Sequence, residues 1–293
     1  MNHNLQTILV TGANGQLGNE LRVIAPEYAG FKFLFVTKEE LAIEDNEAVS
    51  NYFTVHHINY CINCAAYTAV DKAEVEKENA FLINATAVGN LAEVCKKQNV
   101  QLIHVSTDYV FDGTSKQPYK ETDKTNPVSI YGKSKLQGEE WALQNNPSCI
   151  IIRTSWLYAS FKNNFVKTML RLMKEKESIN IVSDQFGCPT YAADLAAAIM
   201  QIITSNKSNK NPGIYHYTNA GITNWYEFAV AIKKTTGSTC IVNPISTAEY
   251  PTAAKRPAYS VLDTTRITST FGLTIPAWED SLQKCLELVK LKT

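Results

Sequence analysis

Apolar residues in this chain fall into two patterns. Short, nearly continuous runs rich in β-branched side chains occupy residues 7–10, 31–36, 60–68, 100–106 and 149–153. Each reads as a buried strand, since a strand covered on both faces needs no polar alternation. Between them, apolar positions recur at helical spacing: Leu21 and Ile24 after the first run, residues 79–98 before the fourth, and a segment starting near Ser129 before the last. Strand and helix taking turns predicts an α/β fold around a parallel sheet, with residues 149–153 counted as a sixth strand. Beyond Trp156 the alternation loosens. Helices through Lys174 and over 192–203, 225–234 and 282–290, with a strand over 213–219, predict a smaller C-terminal lobe. The expected division is a domain of residues 1–156 and a lobe of residues 157–293, the helix at 192–203 being able to pack back on the sheet.

The first run leads into Thr11-Gly12-Ala13-Asn14-Gly15-Gln16-Leu17-Gly18 and then into the first helix. In such a turn one glycine permits the tight bend, one lets the backbone approach a pyrophosphate, and one lets helix and strand pack closely. The helix start offers unpaired N–H groups to the phosphate. The spacing is G-x-x-G-x-x-G rather than G-x-G-x-x-G, but its place between first strand and first helix makes it a dinucleotide signal and the sheet Rossmann-like and doubly wound. Residues 60–68 end in Ala65-Ala66-Tyr67-Thr68, mostly small side chains of the kind a strand end needs where a cofactor passes over it.

An acidic residue normally closes the second strand and holds the adenosine ribose. Thr37 and Lys38 stand there instead. The missing carboxylate removes repulsion against a 2′-phosphate and Lys38 can pair with one, which predicts NADPH as cofactor, NADH remaining possible. A solvated loop charge is the rival reading of Lys38.

Ser106-Thr107-Asp108 arrives at the carboxyl end of the fourth run, where open parallel sheets bind ligands. In the following helix Tyr131 and Lys135 are one turn apart, so an ammonium can sit beside a phenol. A nearby cation lowers a phenol from its usual pKa of about 10, which would fit Tyr131 as a proton donor. Such pairs are common on solvated helices, so the assignment depends on what surrounds it. Asn84 is expected to make a structural hydrogen bond, His104 reads as a satisfied core or cofactor-side histidine, and His56-His57 as a loop pair.

Composition narrows the function classes. The 293 residues are 45% apolar, ample for a core, and 28 basic residues balance 28 acidic ones. No global field draws the chain to nucleic acid or to an anionic membrane, so a small, locally recognised ligand fits better. A polar start without a secretory apolar region, and no run of eighteen apolar residues, predict a cytoplasmic protein. Seven scattered cysteines do not form a disulfide framework, and Cys61 and Cys64, lacking a second pair at zinc spacing, read as small core residues with no metal.

Taken together, Cys64 to Glu74, Ser106-Thr107-Asp108-Tyr109-Val110-Phe111-Asp112-Gly113, Tyr131-Gly132-Lys133-Ser134-Lys135, Arg153-Thr154-Ser155-Trp156 and Arg256-Pro257 resemble the dTDP-4-dehydrorhamnose reductase family, in the extended branch of the short-chain dehydrogenase/reductases, over essentially the whole chain. The resemblance implies NAD(P)H-dependent reduction of the 4-keto group of dTDP-4-dehydro-L-rhamnose to dTDP-L-rhamnose, for cell-surface polysaccharide. It implies Tyr131 as general acid, Lys135 on the nicotinamide ribose and the phenolate, and Thr107 on the sugar oxygen or tuning Tyr131. Gly12, Gly15, Gln16, Leu17 and Gly18 are expected along the pyrophosphate, Ala66, Tyr67 and Thr68 further along the cofactor, and Thr107, Asp108 and Trp156 at the sugar, a core aromatic being the rival for Trp156.

The chain departs from the family pattern at Thr37 and Ala42, which leaves the adenosine contacts open. Some members bind magnesium at a dimer interface through a glutamate whose counterpart here is Ala193, so no metal-dependent dimer is expected and monomer and homodimer both stay open. Asp108 is followed by Tyr109, not Glu, which removes the acid/base pair of a sugar dehydratase. A reductase of another dTDP-4-keto-6-deoxyhexose, or a non-catalytic NADP-binding regulatory subunit, are the remaining alternatives.

Overall fold

The apolar runs pair side by side as their two-sided burial requires. A computed structural model describes residues 5–205 and 207–291; the polar start at residues 1–4 and part of the 205–212 loop lie outside the described residues. The first half runs β1 (Gln6–Thr11), α1 (Gln16–Ile24), β2 (Phe31–Val36), α2 (Asn46–His56), β3 (Tyr60–Asn63), α3 (Val70–Ala73), α4 (Lys77–Phe81), α5 (Ala87–Lys97), β4 (Gln101–Thr107), α6 (Ile130–Asn145) and β5 (Ile150–Thr154). There follow β6 (Leu157–Tyr158), α7 (Phe165–Glu175), β7 (Ser178–Val182), β8 (Phe186–Gly187), β9 (Thr190–Tyr191), α8 (Ala192–Thr204) and β10 (Gly213–His216). The chain closes with β11 (Thr223–Asn224), α9 (Trp225–Thr236), β12 (Ile241–Ile245), α10 (Thr265–Phe271) and α11 (Trp278–Lys290).

Six parallel strands form the main sheet in the order β2-β1-β3-β4-β5-β10. The order reverses between β1 and β3, opening a crevice beyond their carboxyl ends, the place where such sheets bind ligands. Residues 149–153, counted from the sequence as a sixth strand, belong to the fifth. Among the described residues the stretch between β4 and α6 adds no strand, its pairing limited to an isolated bridge from Tyr119 to Leu262, and the sixth strand is β10. The 79–98 helix is also not one regular rod: a π turn at Leu82–Thr86 lies between α4 and α5. His56 is the last residue of α2 and His57 its left-handed cap, rather than a loop pair.

Successive strand residues point to opposite faces, so the sheet has two cores. Ile8, Val10, Ile62, Ile103 and Ile152 meet Leu17 and Leu21 of α1 and Leu195, Ile199 and Ile203 of α8. Leu9, Cys61, Leu102 and Ile151 meet Val49 and Phe53 of α2, Val88 and Leu91 of α5 and Ala142 of α6. Helix α8 thus lies on the sheet beside α1. A separate core joins Tyr158, Val166, Met169, Phe228, Ile232, Trp278 and Leu282 in the second half, with the β7–β12, β8–β11 and β6–β9 pairs around it. Among the described residues no helix is long and apolar enough to cross a membrane, and all seven cysteines are free.

Between α6 and β5 sits a charge pair with almost no access to water. Arg153 Nε donates to Glu139 Oε1 and Oε2 at 3.0 and 3.1 Å, and Nη2 to Oε2 at 2.6 Å, with side chains 3% and 1% exposed. This fork fixes the pitch of α6 against the sheet, and α6 carries Tyr131 and Lys135.

Candidate active site

The crevice holds a cavity of about 710 Å³ that runs from the β1 turn past the ends of β3 and β4 to α6. Gly12 adopts φ +62°, and a Cβ there would lie 2.7 Å from the Ala65 backbone nitrogen, so the β1 turn and the end of β3 close up only around glycine. Gly15 precedes α1 and no side chain caps the helix start, which leaves its N–H groups turned to the crevice. A bare-backbone cradle at a positive helix end fits a pyrophosphate, and with it a dinucleotide.

Gly12, Gly15, Gln16, Leu17, Lys38, Ala66, Thr68, Thr107, Asp108, Tyr131, Lys135 and Trp156 all line this cavity. Two expected residues do not. Gly18 is buried behind the wall, where a Cβ would come within 2.6 Å of Ala13 Cα, so it serves helix–strand packing. The Tyr67 ring turns away, its hydroxyl donating to Glu76 Oε2 at 2.9 Å. What Tyr67 contributes is its backbone: its N–H donates to Asn84 Oδ1 at 2.8 Å, and Asn84 Nδ2 donates to Tyr67 O and Ser134 Oγ, both at 3.0 Å. The structural hydrogen bond expected of Asn84 thus pins the cofactor-side loop to α6. Cys64, expected in the core, is half-buried on the cavity wall.

Two acidic residues of the segment after β3, Asp71 in α3 and Glu74 just past it, fix that segment in place. Glu74 Oε1 accepts the Ile130 N–H at 2.9 Å at the start of α6, where Ser129 Oγ also accepts from Gly132 N at 3.1 Å. Asp71 accepts from Ala254 N at 3.0 Å and from both Arg256 Nη atoms at 3.1 and 2.7 Å, joining this segment to the second half. Gln16 makes a third link, donating to Leu157 O at 3.2 Å and accepting from Asn164 at 2.9 Å.

The chemistry is concentrated where β4 meets α6. Burial pushes Tyr131 up to about 12, a hydrogen bond with Thr107 pulling the other way and Asp108 adding to the rise. This corrects the expectation of a phenol acidified by Lys135. The Lys135 ammonium is engaged elsewhere, donating to Val105 O at 2.8 Å, so the protein without ligand keeps a firmly protonated Tyr131. Burial pulls Lys135 down to about 8, against Glu139 and Cys64. Thr107 Oγ1 donates to Asp108 Oδ1 at 3.0 Å and accepts from Tyr109 N at 3.2 Å.

Asp108 is 2% exposed, and burial lifts its carboxyl to about 6 despite hydrogen bonds with Ser260 and Thr107. The folded protein therefore holds this proton more tightly than the unfolded chain does. Stability from this group is complete below the ordinary carboxyl range and is lost as pH rises through about 6. Asp108→Asn removes this dependence: between acidic and neutral pH the wild type should lose, relative to the variant, on the order of 2–3 kcal/mol. Parallel thermal melts across that interval check it, and parallel curves for the two proteins would refute it.

Trp156 sits at φ +47° on the cavity wall, not in the core. Its ring stacks on Trp225 with centroids 3.6 Å apart at 12°, and Trp225 in turn meets Phe165. Sequence reading missed Trp225, since a Trp opening a helix carries no periodic signal. Lys38 reaches the rim with Nζ 2.7 Å from Glu44 Oε1. Among the described residues no group of three or more His, Cys, Asp or Glu side chains is placed to hold a metal ion.

A family model described as RmlD substrate binding domain matches residues 6–291. The dTDP-4-dehydrorhamnose reductase of Aggregatibacter actinomycetemcomitans is 43% identical over 285 residues, 94% of this chain and 97% of that protein. A crystal structure of a dTDP-4-dehydrorhamnose reductase from Clostridium acetobutylicum superposes with TM-score 0.92 at 41% identity, covering 97% of this chain and all of that one. The dTDP-4-dehydrorhamnose reductase of Bacillus anthracis, solved in complex with NADP, gives TM-score 0.92 at 38% identity over 97% of this chain and 99% of that one.

Proposed function

The chain belongs to the RmlD substrate binding domain family, and from that premise we propose that it is an NADPH-dependent oxidoreductase reducing the 4-keto group of dTDP-4-dehydro-L-rhamnose to give dTDP-L-rhamnose. The observation that carries the reading is one continuous cavity with the glycine cradle at one end and Thr107, Tyr131 and Lys135 at the other. Gly12, Gly15, Gln16 and Leu17 would hold the pyrophosphate, Ala66 and Thr68 the next stretch, and Lys38 a 2′-phosphate. Bound there, the reduced nicotinamide supplies a hydride to the sugar's carbonyl carbon.

The protein's own task is then the oxygen. Tyr131 gives its phenolic proton to the oxygen as negative charge develops on it, acting as general acid. A Tyr held at about 12 keeps this proton in reserve until the oxygen becomes basic. Lys135 in its charged form stabilises the phenolate left behind, and the Thr107 hydroxyl, beside Tyr131, orients the carbonyl oxygen. Asp108 and the Trp156–Trp225 stack offer the sugar a hydrogen-bonding side and an apolar one. We assign the nucleotide to the sheet unit and the sugar mainly to the lobe after Trp156, with the reaction in the cytoplasm.

Lys38 is shared between Glu44 and the space a 2′-phosphate would take. Lys38→Ala should raise KM for NADPH about tenfold, the loss of one charge-assisted contact, and leave KM for NADH unchanged. Initial rates with both coenzymes and dTDP-4-dehydro-L-rhamnose test function and preference together. No turnover with either coenzyme would sink the function, and equal loss for both would sink the role of Lys38.

A further inference from the structure

Lys135 is met from behind by a residue to which the proposed reaction gives no part. His104 on β4 is fully buried, with Nδ1 3.0 Å from Asn63 Nδ2 and Nε2 3.3 Å from Lys135 Nζ. The polarity of this series follows from its far end. The Ala65 backbone N–H can only donate, and it points at Asn63 Oδ1 at 3.2 Å, joined there by Thr11 Oγ1 at 2.6 Å. Asn63 therefore turns its NH₂ to His104, and Nδ1 must accept. A neutral imidazole carries one proton, so it sits on Nε2 and an N–H faces Lys135.

Burial, then the charge of Lys135, keep the ring neutral by pulling its pKa well below the ordinary histidine range. An ammonium is all donors, and against Nε2–H it would oppose donor to donor. An amine has a lone pair to accept that N–H while still donating to Val105 O.

We propose that His104 is a positioning residue for Lys135: through Asn63 it presents a fixed N–H that weakens the hold of Lys135 on its proton in the cofactor-free protein, and that hold tightens when acceptors on the cavity side replace His104 as its partner. The other titratable groups around Lys135 are Cys64 from the end of β3 and, on α6 itself, Tyr131 and Glu139, the last held by Arg153. Glu139 and Cys64 favour the ammonium, while burial and the His104 donor oppose it. The inference rests on the proposed function only in giving Lys135 a part in the cavity's chemistry.

The test reads Lys135 directly. In protein labelled with ¹³C and ¹⁵N at lysine, the ¹³Cε resonance that disappears in Lys135→Met is followed from neutral to alkaline pH, without cofactor. The wild-type midpoint is expected near 8. His104→Gln can turn its amide oxygen toward Nζ, and the midpoint should then rise by about one unit or more, a tenfold change in proton affinity. Should that variant not fold, Asn63→Asp asks the same question, since a carboxylate takes the proton onto Nδ1 and leaves Nε2 as an acceptor. A wild-type midpoint at the ordinary lysine value of about 10.4, or no upward shift in a folded variant, overturns the proposal. A shifted midpoint in a protein without turnover would instead count against the function and leave this inference standing.

Discussion

Tyr131→Phe should lower kcat by about 100- to 10,000-fold, the usual loss when a general acid is removed, with little change in the dissociation constant of NADPH. The substitution deletes one hydroxyl from a ring packed edge-on against Tyr109, centroids 5.6 Å apart, and leaves that packing in place. The glycine cradle lies at the other end of the cavity and has no reason to respond. Fluorescence titration of NADPH alongside steady-state rates separates the two effects. A variant that kept near-normal turnover would remove Tyr131 from the chemistry, and one that lost cofactor affinity as well would make it a binding residue.

The second large effect is on stability. Glu139→Ala leaves the guanidinium of Arg153 buried without its carboxylate, and stranding one half of such a pair costs about 3–5 kcal/mol, a drop of roughly 10 °C for a chain of this size. Arg153 has no route to water from its place between α6 and β5. Replacing both partners with apolar residues of similar volume, Glu139→Leu with Arg153→Met, should recover most of the loss, because the penalty belongs to the unpaired charge. Melting curves of the single and double variants decide this. A single variant as stable as the wild type would show that water reaches the pair after all.

How much of this was legible in the sequence depends on whether the signal is local. The glycine turn, the strand runs and the Tyr131–Lys135 spacing are settled within a few residues, and they placed Gly12, Gly15, the strand ends, Tyr131 and Lys135 on one cavity. The same local reading put Gly18 and Tyr67 on the wall. One backs onto Ala13 and the other turns to Glu76, and spacing does not report which way a side chain leaves its turn. The strand count went astray for a different reason: among the described residues the stretch between β4 and α6 adds no strand, and the sheet is completed by β10 from far along the chain. Contacts between distant segments were silent in the sequence: Asp71 with Arg256, Trp156 with Trp225, Glu139 with Arg153. The phenol of Tyr131 shows the limit most clearly. Four-residue spacing brings Lys135 to the right face, but its charge is drawn to Val105 O, and burial then sets the Tyr131 pKa upward instead of downward.

If this cavity carries out one reduction on one sugar, the measurement that shows it most directly is the identity of the product. Purified protein is incubated with NADPH and dTDP-4-dehydro-L-rhamnose, oxidation is followed by absorbance, and the nucleotide sugar is identified by NMR. The expected result is dTDP-L-rhamnose formed in step with NADPH consumed. A different C4 epimer, or NADPH bound and left unoxidised, would contradict it.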